Sequence, residues 1–132
     1  MAKILIADIE EGQKIQGRIL ESDHELFFVN TILEAQDALQ SDRFDIVSVG
    51  VLFDDSQMFK LVELTKKLHA TASIICVHSV ATRLSFRSAE KANVAALALG
   101  ACDYVDIAWD KAGNEKLQAA VKKCLGSKRK DK

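Results

Sequence analysis

Hydrophobic residues along this chain fall in short runs that alternate with segments of helical period. Five runs have strand length: KILIAD (3–8), ELFFVN (25–30), FDIVSVGV (44–51), SIICVH (73–78) and DYVDI (103–107). Between them apolar residues return every three or four positions, as Ile15, Ile19 and Leu20 do after the first run and Leu61, Leu64 and Leu68 after the third. That spacing predicts amphipathic helices. Thr31 and Glu34 stand three apart where the second helix should begin, which predicts a capping box. The last helix is expected over about 111–125, with Asp110 as its cap and Gly126 as its stop.

The first, third and fourth runs are apolar almost throughout, as parallel strands covered by helices on both faces should be. Five such βα units predict an α/β fold: a three-layer doubly wound (βα)5 sandwich with a parallel five-stranded sheet. The flavodoxin-like strand order 2-1-3-4-5 follows, with functional groups gathered at the carboxyl ends of the strands. One domain is expected over 3–125, followed by a basic tail or linker, GSKRKDK, over 126–132.

Composition narrows the function without naming it. The chain has 132 residues, 48% hydrophobic and 28% charged, which fits an ordinary globule and argues against disorder. A net charge of −1 supplies no global attraction to nucleic acid or membrane surfaces. No apolar run approaches the ~20 residues of a membrane span, and the start lacks the layout of a signal peptide, so a cytoplasmic protein is expected. Cys76, Cys102 and Cys124 are odd in number and lack CxxC spacing. They are expected as reduced, partly buried thiols, with no zinc site.

Three segments, KILIADIEE, RFDIVSVG and GACDYVDIAWD, together resemble the receiver domain of bacterial two-component response regulators, over residues 3 to about 125. The resemblance implies two adjacent acids after the first strand, a phosphoaccepting aspartate ending the third, and a Thr or Ser ending the fourth. It also implies an aromatic residue on the fifth strand, followed three positions later by Lys and then Pro. Asp8 matches the first acid, but Ile9 stands where the second, metal-contacting acid belongs, and Gly50 stands at the phosphoacceptor. His78 falls at the hydroxyl position, with Ser79 next to it and able to substitute if the register shifts. Tyr104 matches the switch aromatic, while Ile107 replaces the Lys, Ala108 the Pro, and Trp109 the aromatic that follows. Extra residues are expected around SVATRLSFRSAEK (79–91).

The losses point in one chemical direction. An acyl phosphate needs a carboxylate nucleophile, and Gly50 has none. Mg2+ needs oxygen ligands that Ile9 and Gly50 do not supply, and Ile107 cannot neutralise phosphoryl charge. The resulting expectation is a degenerate receiver that is not an enzyme, takes no phosphate, metal or cofactor, and serves bacterial signal transduction as a protein-interaction module. The strand-end pocket is expected to close on apolar side chains, leaving a remnant acidic group of Asp8, Glu10 and Asp54. By resemblance, a signalling partner meets the fourth helix, fifth strand and fifth helix. His78, Ser79, Phe86, Tyr104 and Trp109 form the switch or partner surface, and Phe86 is the first candidate anchor. Nucleic acid and membrane are not expected partners, and a homodimer is left open.

Two rival readings remain. A divergent receiver could use Asp54, if that residue approaches Asp8 and Glu10 and rebuilds a cation site; the plainer reading is that DDSQ turns the chain and caps the third helix. A small-molecule sensor could reuse the strand-end pocket. No GxGxxG follows the first strand, and the acidic loop DIEEGQ lacks the Ser/Thr composition suited to a flavin phosphate.

Overall fold

Five strands and five helices alternate along the chain: β1 (Lys3–Ala7), α1 (Glu10–Leu20), β2 (Glu25–Val29), α2 (Ile32–Ser41), β3 (Ile46–Gly50), α3 (Met58–Leu68), β4 (Ser73–His78), α4 (Phe86–Ala98), β5 (Asp103–Asp106) and α5 (Gly113–Lys130). This computed structural model describes residues 2–55, 57–80, 86–108 and 110–130, without the side chains of 86–90 and 127–130. All strand pairs are parallel, in the order β2-β1-β3-β4-β5. The expected doubly wound sandwich is therefore the fold. Among the described residues, no helix is long and apolar enough to cross a membrane.

Alternation of side chains along each strand divides the core in two. Leu5, Val47 and Ile74 face one side with Phe53, Leu61 and Ala96, under α2, α3 and α4. Ile4, Ile6, Ile46 and Ile75 face the other with Leu20, Leu117 and Val121, under α1 and α5. Each large side chain so buried contributes roughly 1.5–3 kcal/mol before its entropy cost. The edge strand β2 is less covered, and Phe27 and Phe28 stay partly exposed.

The capping box at α2 forms as its spacing predicts: Thr31 Oγ1 accepts from Glu34 N at 3.1 Å, and Glu34 Oε1 accepts from Thr31 N at 3.1 Å. Gly100, at φ 108°, ends α4 in a backbone conformation that side chains with a Cβ rarely adopt.

Three expectations are corrected. Gly126 does not stop the last helix, which continues to Lys130. A helical glycine costs only about 1 kcal/mol, and the Lys and Arg residues after it are good helix formers. Asp110 caps the turn before α5, where its Oδ1 accepts from Ala112 N at 2.9 Å, and the helix begins only at Gly113. Cys102 and Cys124 are not free thiols but form a disulfide between the start of β5 and α5, across a Cα separation of 6.2 Å. Sequence spacing gave no sign of it, because α5 runs back along β5 and only that packing brings the two together. Cys76 is the free, buried cysteine.

Reducing the bond, or replacing Cys102 and Cys124 together by Ser, should lower stability by about 3 kcal/mol, since the bridge closes a loop of 22 residues. Urea unfolding of the oxidised protein against the double variant measures this.

Candidate functional site

β1 and β3 are neighbours, with Ala7 opposite Val49, so the residues that follow, Asp8 and Gly50, lie side by side at the carboxyl edge of the sheet. The Asp8 carboxyl group does not project outward from that edge. It lies over Gly50 and against the first turn of α1: a Cβ on Gly50 would fall 2.1 Å from Asp8 Oδ1, and one on Gly12 would fall 2.0 Å from Oδ2. Real Cβ contacts are never that short, so the two glycines are there for space. Asp8 is 1% exposed.

A buried carboxyl group has to find hydrogen-bond partners inside the protein. Asp8 Oδ1 accepts from the N–H of Ile9 at 2.8 Å. Oδ2 accepts from Gln16 Nε2 at 2.9 Å and from the Ser79 hydroxyl at 2.5 Å. Gln16 in turn accepts from the Ser48 hydroxyl through its Oε1. The result is a polar chain, Ser48–Gln16–Asp8–Ser79, joining β3, α1, the end of β1 and the segment after β4. The pocket has therefore closed on a buried carboxyl group and not, as expected, on apolar side chains.

Burial raises the pKa of Asp8 above the ordinary aspartate value, while the bonds from Ser79, Gln16 and Ile9 N pull it down only part of the way. A raised folded pKa fixes the sign of the linkage: the stability from this group is fully present below the ordinary aspartate value and is lost as pH rises through the raised one.

The other expected site residues separate. Glu10 is exposed at the start of α1 and pairs with Lys14 at 3.6 Å. Asp54 and Asp55 occupy a left-handed turn at φ 43° and 54°. Asp54 Oδ2 accepts from the N–H of Ile32, the first residue of α2, at 2.8 Å, so it caps α2 and not α3. The acidic remnant is thus not gathered around Asp8. His78 is buried and its Nδ1 lies 3.3 Å from Asp106 Oδ1, whereas Ser79 carries the hydroxyl that reaches the pocket. Trp109 lies outside the described residues, and Phe86 opens α4 with its side chain outside them.

Tyr104 packs its ring against the core under α4. Its hydroxyl is buried without a hydrogen-bond partner among the described residues, and its pKa is pushed up to about 12, chiefly by burial and then by the Asp106 charge. Beside it runs a groove of about 630 Å³ between α4, β5 and α5, lined by Asn93, Tyr104, Asp106, Asp110, Lys116 and Lys123 among others. Gln16, Ser48 and Gly12 are pocket residues that sequence reasoning missed. A polar residue one helical turn after Gly12 on the inner face of α1, and a Ser within the apolar strand IVSVG, were the available signals.

No family model matches the chain, and no curated protein does. Solved structures match along its whole length. A response regulator receiver domain protein (CheY-like) from Methanospirillum hungatei superposes with a TM-score of 0.78 at 22% identity, covering 100% of this chain and 99% of that one. A putative response regulator from Chloroflexus aurantiacus gives 0.76 at 19% identity, over 95% of this chain and 98% of that one. The fold is that of the receiver domains. NtrX from Brucella abortus gives 0.80 at 19% identity, over 98% of this chain but 28% of its own.

The receiver fold implies a Mg2+ site at the strand ends, and these residues do not fit one. Both oxygens of Asp8 are engaged inside the protein, Ile9 and Gly50 supply no side-chain oxygen, and no cluster of three His, Cys, Asp or Glu residues occurs among the described residues. Adding a metal ligand at Gly50 would displace the carboxyl group already in that space.

Gly50→Ala should cost roughly 1–3 kcal/mol by overpacking, and less when Asp8 is also Ala, because the colliding carboxyl group is then gone. A double-mutant cycle in urea checks this; equal costs in both backgrounds would contradict the packing. The stability difference between wild type and Asp8→Asn should also grow in favour of wild type as pH falls below the raised Asp8 value, as denaturation across the acid range will show.

Proposed function

We propose that this domain takes up no phosphoryl group and works as a protein-interaction module in signal transduction, a pseudo-receiver that meets its partner through the groove between α4, β5 and α5. The observation that carries the reading is Gly50 at the end of β3, with the Asp8 carboxyl group lying where a side chain at position 50 would have to go. Without a carboxylate at position 50, and with the Asp8 carboxyl group and the Ser79 hydroxyl tied to each other inside the protein, the pocket offers no free acceptor for phosphate. Asp54 does not replace it in this reading, because its carboxylate holds the start of α2.

The groove supports the second half. It combines apolar ground with charges of both signs, Asp106 and Asp110 against Lys116 and Lys123. Val94 and Leu97 stand exposed on α4, and Leu97 lies one turn from the groove residue Asn93. Apolar anchors beside a polar rim are the usual anatomy of a protein interface. The partner is a signalling protein, and the domain acts in the cytoplasm. In that reducing compartment Cys102 and Cys124 are expected as thiols, and alkylation in freshly lysed cells should label both; protein carrying the bond directly from cells would speak against that location.

Incubation with acetyl phosphate and Mg2+ followed by intact mass should show no phosphoryl adduct on the wild type or on Gly50→Asp. An adduct on the wild type would overturn the reading, one mapping to Asp54 would make the chain a divergent working receiver, and one on Gly50→Asp alone would contradict the loss of the cation site at Ile9 and Ile107. Once a partner is in hand, Tyr104→Ala or Leu97→Asp should weaken its binding by tenfold or more, about 1.4 kcal/mol, while Asp54→Ala leaves it nearly unchanged.

A further inference from the structure

The pocket and the groove are joined by a path of hydrogen bonds that passes through the peptide bond between His78 and Ser79. Asp8 Oδ2 holds the Ser79 hydroxyl at 2.5 Å, which fixes the backbone where β4 ends. The preceding residue, His78, is tied to β5 twice. Its carbonyl accepts from Ile107 N and Ala108 N, both at 3.0 Å, and its ring meets Asp106 at 3.3 Å. Asp106 also accepts from Ala108 N at 3.0 Å, lines the groove, and acts electrostatically on Tyr104. Tyr104 sits opposite Cys76, two residues back from His78 on β4.

We infer that the Asp8 carboxyl group serves as a built-in occupant of the pocket above Gly50, and through Ser79, His78 and Asp106 holds Tyr104 and the groove in a single arrangement. This deepens the interaction reading and rests on it only for the purpose of the groove. Two features make Asp8 an occupant and not an ordinary polar core residue. The chain leaves out a Cβ on both sides of it, at Gly12 and Gly50, so that it fits. Its tightest bond runs to Ser79, just beyond the end of β4, and does not stay within its own strand and helix. A group placed this way supplies from inside the protein the contact that a bound ligand would otherwise provide. The groove is then set without any ligand, and its state depends on the Asp8–Ser79 bond.

Asp8→Ala and Ser79→Ala test this, read by NMR on the protein alone. Both should shift the amide signals of Tyr104, Asp106 and Lys116 and speed hydrogen exchange at Ile107 and Ala108 by about tenfold or more, as those amides lose the fixed His78 carbonyl. Val47→Ala, a core substitution on β3 outside this path, controls for general loosening and should leave the same signals in place. Ser79→Thr keeps the hydroxyl and should restore the wild-type pattern. Should Asp8→Ala fail to fold, Ser79→Ala carries the test, since it removes one hydroxyl and no charge. Perturbations confined to Ile9, Gly12 and Gly50, with Tyr104 and the Ile107 and Ala108 exchange rates matching the Val47→Ala control, would overturn the inference. No partner is needed for these measurements, so their failure leaves the interaction reading standing, and phosphoryl uptake would sink that reading without touching the relay.

Discussion

A carboxyl group buried between two glycines constrains the rest of this structure. Asp8 leaves the end of β1 and lies inward, where a Cβ at position 12 or 50 would collide with it. Leaving such a group without partners would cost on the order of several kcal/mol, so residues from two other parts of the chain turn toward it and a third supports one of them. Gln16 comes from α1 and Ser79 from beyond β4, while Ser48 on β3 completes the bonding of Gln16. The same arrangement that satisfies Asp8 also ties α1 and Ser79 to the end of β1. A fully satisfied buried network of this kind favours one arrangement over its alternatives, because each member loses its partners if another moves.

The groove depends on this edge of the sheet. Among the described residues β5 pairs with β4 alone, and His78 holds its end, through its ring at Asp106 and its carbonyl at Ile107 and Ala108. Tyr104 lies between the core and the groove, with a buried hydroxyl whose pKa burial raises to about 12. At the opposite end of β5, the Cys102–Cys124 bond ties the strand to α5. In this structure the groove walls are held at both ends, by hydrogen bonds at the carboxyl edge and by the Cys102–Cys124 contact at the other, which in a reducing compartment is a packing contact between two thiols. Preorganised walls of this kind reduce the ordering cost of binding.

Likeness to receiver domains at 22% identity and below lies in the scaffold. What makes such a scaffold is the alternation of five apolar strands with five amphipathic helices, and many sequences satisfy it. At the strand ends this chain has Ile9, Gly50 and Ile107, none of which carries a charged or oxygen-bearing side chain. The edge is not wholly apolar, since Asp8 lies there buried with its own set of donors.

Much of the fold was legible in the sequence because it depends on local periodicity. Apolar runs of five to eight residues mark strands, three- and four-residue spacing marks helices, and the Thr31–Glu34 spacing marks a cap; each is read within a few residues of itself. The absence of a nucleophile at Gly50 was equally plain, since no packing can add a carboxylate to glycine. Tertiary structure alone decided the rest, because those features join residues far apart in the chain. Asp8 meets Ser79 across 71 positions, Asp54 caps a helix that precedes it by 22, and Cys102 finds Cys124 only because α5 folds back along β5. An aspartate's residue type does not say whether it faces water or the interior. At Asp8 that was settled by two missing Cβ atoms and by two donors, Gln16 and Ser79, whose positions exist only once the sheet, α1 and the end of β4 have come together.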